Sequence, residues 1–218
     1  MLRRLILLSL AAFMLSLPVL ADEPVFRLRV GQYTPDGESA FWKDKEEVFD
    51  GSAGGLKDAS YGLDWNYPIT QGLGVLLAGS LFDGKNDHAA LEDSSFSGTH
   101  RTELRIASVS VLMTYMAPSE WRIRPWIGVG GGVHQWKLQE TGDVIEGDDL
   151  VNGKLTEDDL EFGFTVALGV DFWIQENWGL SLDYRQHFLD ADPSKDFEDR
   201  GNIDLSGQEV ALGLIWMF

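Results

Sequence analysis

The sequence predicts an all-β fold, a closed eight-stranded antiparallel up-and-down β-barrel. Two observations predict it: apolar residues occupy every second position in eight segments, and the connections between those segments alternate between short and long. A chain of 218 residues has the length of one such domain.

The alternation is clearest from Leu160 to Phe172. Apolar side chains take the even positions there, whereas the odd positions hold small or polar residues such as Glu161, Gly163 and Asp171. A period of two indicates a strand with one apolar face. Seven more segments show the pattern with varying regularity, at residues 26–30, 61–67, 73–82, 104–116, 121–138, 178–185 and 210–218.

The lengths of the connections give the barrel two different ends. Three connections are tight turns, at residues 68–71, 117–120 and 174–177, and four are long and polar, at residues 34–57, 83–100, 140–158 and 189–203. Short periplasmic turns and long extracellular loops are typical of a transmembrane β-barrel. Closure of the sheet also removes the exposed edge strands of an open sheet.

The first segment indicates export from the cytoplasm. Arg3 and Arg4 precede an apolar stretch from Leu5 to about Val19, and Ala21 offers a small residue for cleavage. The stretch is shorter than the roughly 20 apolar residues that cross a bilayer as a helix. We therefore expect a cleaved secretory signal peptide at residues 1–21 and a barrel at residues 22–218.

Alternation alone does not decide between a membrane barrel and a soluble barrel, whose apolar face points inward. The aromatic residues favour the membrane, because five of the eight Trp cluster at the short-turn end. Trp and Tyr gather where hydrocarbon meets water. The predicted membrane girdle consists of Trp65, Tyr67, Tyr115, Trp121, Trp173, Trp178 and Trp216.

The chain ends in an alternating apolar strand, Val210–Phe218, with a terminal aromatic residue. This strand resembles the C-terminal strand that the barrel assembly machinery recognises, with Phe218 as the assembly signal. Together with the signal peptide, the eight strands and the girdle, it makes the chain similar to small bacterial outer-membrane β-barrel proteins of the OmpW, OmpX and OmpA transmembrane-domain type. The resemblance implies a monomer in the Gram-negative outer membrane, in contact with lipid and lipopolysaccharide.

If the apolar parity faces lipid, charged residues of both signs must face the barrel axis. The predicted interior polar network consists of Arg27, Arg29, Asp64, Arg122, Arg124, Glu161, Asp171, Asp183, Arg185 and Glu209. Eight strands leave an interior that side chains fill, and buried charges persist only when they are paired. We expect an ion-pair core; a gated polar path through it is the alternative.

A glycine-rich run, Gly128–Val133, lies within a predicted strand. It does not fit a nucleotide-binding loop, because the third glycine of that motif would fall at Val133 and no helix start follows. We expect the inward glycines to make room for Trp126 and Trp136 instead.

Composition excludes several classes of function. A net charge of −18 argues against nucleic acid as a partner, and the absence of cysteine excludes thiolate chemistry. The four His stand in no recognisable catalytic or zinc-binding spacing. We therefore expect no catalytic residues, no metal site and no cofactor.

The sequence favours a structural or passive small-solute transport role. The alternative is a surface adhesin or binding barrel that uses its acidic loops, of which residues 140–160 are the most acidic and suit weak divalent-cation binding. A lipid A-modifying enzyme is a third hypothesis. In the first loop, residues 40–42 and 48–52 are expected to cap the barrel.

Overall fold

The computed structural model of the chain describes residues 23–37, 39, 41–43, 53–89, 99–118, 120–146, 149–193 and 201–217. The predicted signal peptide and Phe218 lie outside these residues. No helix in the described ranges combines the length and the apolar character needed to cross a membrane.

The described residues form ten strands. In chain order they are β1 (Val25–Pro35), β2 (Asp58–Pro68), β3 (Leu73–Ala89), β4 (Thr99–Met116), β5 (Ile123–Glu146), β6 (Asp149–Trp173), β7 (Trp178–Phe188), β8 (Asp190–Ala191), β9 (Ile203–Asp204) and β10 (Gly207–Met217). Eight of them close an antiparallel barrel in the order β1-β10-β7-β6-β5-β4-β3-β2, while β8 and β9 pair within the last loop. This confirms the predicted fold class.

The barrel wall is much higher on one side. Strands β3 to β6 have 17, 18, 24 and 25 residues, whereas β1, β2, β7 and β10 have 11 each. We call β3–β6 the tall wall. The prediction that residues 83–100 and 140–158 are loops is wrong over much of both ranges, since β5 and β6 stay paired from Ile123↔Phe172 to Glu146↔Asp149. A hairpin that stands in water needs no apolar face, so the apolar alternation ends before the strands do.

The apolar side chains of the strands point outward, as expected for a barrel that lies in a membrane. Phe162 and Leu212 are 80% and 68% exposed, whereas Arg27 and Arg29 are 1% exposed. An exterior of this kind is stable only against hydrocarbon, because polar groups buried on the axis are the inverse of a water-soluble barrel.

Apolar side chains close the barrel axis at both ends. Val25, Trp173 and Ile215 form a buried floor at the short-turn end. At the other end, loop residues pack into the mouth against Tyr33 and the tall wall; we call them the lid, and they are Phe41, Trp42, Ala53, Leu56, Leu189, Ala191, Ile203 and Leu205. The indole of Trp42 donates a hydrogen bond to the Asp204 carbonyl at 2.6 Å. Residues 41–42 thus cap the barrel as predicted, while residues 40 and 48–52 lie outside the described residues.

Candidate functional site

The middle of the barrel holds a buried network of ion pairs. Next to the floor, the Arg27 guanidinium donates hydrogen bonds to both Asp171 carboxylate oxygens, at 3.3 and 2.6 Å. The same guanidinium lies 5.0 Å from the ring centre of Trp126. Because β10 and β7 stand between β1 and β6 in the sheet, this pair bridges the lumen.

A second cluster is centred on Asp64, which faces Arg27 across the β1–β2 pair. Its carboxylate pairs with Arg29 at 3.0 Å and accepts a hydrogen bond from Arg185. Arg29 also pairs with Glu209 at 3.1 Å, and Arg185 contacts Asp183 at 3.3 Å. All five side chains are at most 2% exposed, so each charge depends on its partners rather than on water.

The two clusters have more negative than positive charge. Three arginines face four carboxylates across Arg27–Asp171 and the Asp64-centred cluster. Ser60 donates a hydrogen bond to Glu209 at 2.7 Å, and the His187 Nε2 atom lies 3.7 Å from the other Glu209 oxygen. Ser60 was not predicted, although its parity matches that of Asp64 and places it on the same inward face.

Two histidines lie between the ion pairs and the lid. Ser108 Oγ and His134 Nδ1 are 2.7 Å apart, Thr165 Oγ1 and His187 Nδ1 are 3.1 Å apart, and the two imidazole rings lie 6.2 Å apart. They border an internal cavity of only about 20 Å³. The Ser108–His134 pair resembles half of a hydrolytic site, but a lipid has no room to approach it.

The structure separates the predicted interior residues into three groups. Seven are buried: Arg27, Arg29, Asp64, Asp171, Asp183, Arg185 and Glu209. Glu161 is half-buried opposite His134, and Arg124 is partly buried at the short-turn rim, 4.8 Å from the ring centre of Trp173. The placement of Arg122 in the interior is wrong, because it lies in the turn before β5 and is exposed.

The predicted girdle needs one correction. Trp173 is only 5% exposed and points into the barrel, where it forms the floor with Val25 and Ile215. Trp173 lies two residues after Asp171 on β6, so the alternation of the strand already predicts an inward side chain. Its height along the barrel nevertheless matches that of the girdle. The others point outward at the short-turn end, and they are Trp65, Tyr67, Tyr115, Trp121, Trp178 and Trp216.

Glycine makes room for Trp126, although not the glycines that the sequence suggested. A Cβ atom at Gly130 would meet the backbone of Val111 and Leu112, so that glycine permits close approach of β4 rather than of an indole. At Gly169 the Cβ atom would lie 2.7 Å from the Trp126 ring. Trp126 and the arginine stacked on it therefore depend on Gly169.

We expect Gly169→Ala to lower the free energy of unfolding by about 1–3 kcal/mol, since the methyl group displaces Trp126 from a filled interior. Urea unfolding in lipid vesicles, followed by tryptophan fluorescence, measures the change. Gly79→Ala is the matched control, because its Cβ atom would have no neighbour closer than 3.8 Å. Equal stability of the two variants would contradict the packing role of Gly169.

The described residues contain no group of three or more His, Asp or Glu side chains arranged to hold a metal ion. The chemistry that the site does offer is electrostatic: paired charges that close the axis and hold distant strands together.

Comparison with known proteins gives a family match and several solved structures of similar fold. A family model described as outer membrane protein beta-barrel domain matches residues 7–218. The chain is similar to the outer membrane protein OprG from Pseudomonas aeruginosa, with 14% identity, a TM-score of 0.53, and coverage of 90% of this chain and 93% of that chain. It is also similar to Neisserial surface protein A, with 14% identity, a TM-score of 0.50, and coverage of 89% and 96%. No curated protein matches the chain.

Proposed function

Because the chain belongs to the outer membrane protein β-barrel domain family and lies in the outer membrane, we propose that it is a structural barrel without a permanently open water channel. The observation that carries this proposal is the filled axis. Along the described residues, the floor, the ion pairs, the His134 and His187 rings and the lid follow one another, and the cavity between the two histidines and the lid has a volume of only about 20 Å³.

The energetics of the ion pairs support a closed state. A water path past Asp64 requires Arg29 or Arg185 to leave it, and each of these groups is at most 2% exposed. Separating a buried pair leaves an uncompensated charge in a medium of low dielectric constant. The structural role is therefore favoured over passive transport of small polar solutes through the axis.

Planar lipid bilayers test the proposal directly. The purified full-length barrel is expected to give no steady ohmic conductance in a symmetric salt solution, whereas a trimeric porin reconstituted in parallel gives open channels. Stable, reproducible channels from the purified barrel would overturn the proposal and favour passive solute transport.

A second candidate function is a surface-binding barrel, and the tall wall favours it. Strands β5 and β6 remain paired well beyond the ends of β1 and β10, so they present a hydrogen-bonded ladder on the extracellular side. A strand pair ordered by hydrogen bonds loses little conformational entropy when it binds a partner.

Replacing residues 143–152 by Asn-Gly distinguishes the two functions. The replacement joins the facing Gly142 and Gly153 through a two-residue turn, so it shortens the β5–β6 ladder and leaves the rest of the barrel in place. If the protein is a surface-binding barrel, whole cells that carry this variant are expected to lose adhesion to an extracellular-matrix coat. The variant should still change its mobility in a detergent gel when it is boiled, which shows that the barrel is folded; we call this change the band shift on boiling. Unchanged adhesion would contradict this second function.

We also propose that residues 1–21 are removed on export and that the protein assembles as a monomer through its C-terminal strand. Mass spectrometry of the outer-membrane form tests the first point, with an expected N-terminus at Asp22. A mass that includes residues 1–21 would contradict cleavage.

A further inference from the structure

Cationic and anionic side chains form a row on the outer face of the tall wall. The strand register places Asp83 opposite Arg105, Arg105 opposite Lys137, and Lys137 opposite Asp158. Two cations thus stand side by side with one carboxylate at each end. Like charges directly opposite each other on a sheet repel, so this arrangement favours an anion between them.

The row lies at the outer boundary of the hydrocarbon. On β4, Tyr115 belongs to the periplasmic aromatic level, and the outward residues above it are Met113, Val111, Val109 and Ala107. Ten residues separate Tyr115 from Arg105, which is ~25 Å along the membrane normal for a strand tilted by about 40°. That distance matches the apolar band of such barrels, so Arg105 stands at the level of the outer-leaflet headgroups.

The charges border a groove on the exterior of the barrel. It has a volume of about 780 Å³, and its lining includes Arg105, Lys137, Asp83 and Asp158, with Tyr61 and Leu81 among its apolar residues. Tyr61 and Leu81 are 58% and 61% exposed and continue the lipid-facing surface. The groove therefore joins a charged headgroup region to an apolar wall.

The ion pair of Arg105 with Asp83 is open to solvent. The Asp83 carboxylate lies 2.9 Å from Arg105 Nε, and the two side chains are about half exposed, at 47% and 54%. Exposed pairs of this kind contribute little stability. A phosphate group, with more charge and more acceptor oxygens than a carboxylate, forms stronger bonds with a guanidinium and an ammonium group.

We propose that this groove binds the phosphorylated amino-sugar headgroup of a lipid A-type glycolipid from the outer leaflet. The phosphate lies between Arg105 and Lys137, and an acyl chain follows Leu81 and Tyr61. Asp83 and Asp158 accept hydrogen bonds from the hydroxyl and amide groups of the sugar, whereas they repel a bare anion. The inference goes beyond the proposed structural role and depends only on the place of the barrel in the outer membrane.

The test measures binding of bisphosphorylated hexa-acyl lipid A to the full-length barrel in dodecyl maltoside, with EDTA present. The double variant Arg105→Gln/Lys137→Gln is expected to bind about tenfold more weakly. The matched control is Lys57→Gln/Lys154→Gln, which removes the same charge from exposed positions outside the groove. It is expected to bind like the wild type, and the band shift on boiling shows that both variants are folded.

Probe chemistry distinguishes the headgroup from other sources of phosphate. Dephosphorylated lipid A, phosphatidylglycerol and inorganic phosphate are each expected to bind at least several-fold more weakly than lipid A. Equal binding of any of them would overturn the headgroup assignment. Equal effects of the two double variants would overturn the site, and loss of binding in EDTA would indicate a divalent bridge through the carboxylates instead. None of these outcomes depends on whether the barrel conducts ions.

Discussion

Replacing Asp64 by alanine is expected to lower the free energy of unfolding of the barrel by about 3–5 kcal/mol. Asp64 is the shared partner of Arg29 and Arg185, and all three side chains are at most 2% exposed. Its removal leaves two guanidinium groups with less compensation in the interior. Urea unfolding in lipid vesicles measures the loss, and a lower temperature for the band shift on heating reports it independently.

Asp87→Ala is the matched control for Asp64→Ala. Asp87 pairs with Arg101 through two hydrogen bonds, at 2.6 and 3.0 Å, on the exposed face of the tall wall. Because water solvates both of these side chains when they are separated, we expect little change in stability. Similar losses from the two variants would mean that burial contributes nothing to the strength of the interior pairs.

The second large effect is expected from Phe162→Arg on the outer face. Phe162 is 80% exposed and lies near the middle of the apolar band, between the level of Leu168 and that of Asp158. An arginine at this depth is expected to lower the free energy of unfolding in vesicles by about 2–4 kcal/mol.

Leu160→Arg is the matched control, because Leu160 lies next to the charged row at the edge of the hydrocarbon. The cost of a charge on the lipid face falls to about 0–1 kcal/mol near the interface. A soluble barrel gives the opposite result, since both arginines would then point into water and neither would destabilise the fold.

The sequence was sufficient for the strands within the membrane and for their two faces. Hydrocarbon outside and paired charges inside impose a strict period of two, so parity alone located residues such as Arg27 and Phe162 correctly. The same rule no longer applies above the membrane. Asp83, Lys85 and Asp87 alternate with Gly84 and Asn86, and this polar pattern is equally compatible with a loop.

The partners within the interior were beyond the reach of the sequence. Arg27 and Asp171 are 144 residues apart and lie on strands that are not neighbours in the sheet. Their contact depends on barrel radius and strand stagger, which no local pattern encodes. The contacts of the lid could not be predicted from the sequence either, because Trp42 and Leu205 come from two different loops and the path of each loop depends on the other.

The long-range charge pairs constrain how the barrel enters its membrane. Arg29 and Glu209 are 180 residues apart, and the seam between β1 and β10 must close before they can meet. Strand β10, if it inserted before β1, would carry the Glu209 carboxylate into hydrocarbon without Arg29, which costs several kcal/mol. Insertion of these strands and closure of the seam between β1 and β10 must therefore proceed together, because the interior charges are compensated only in the closed barrel.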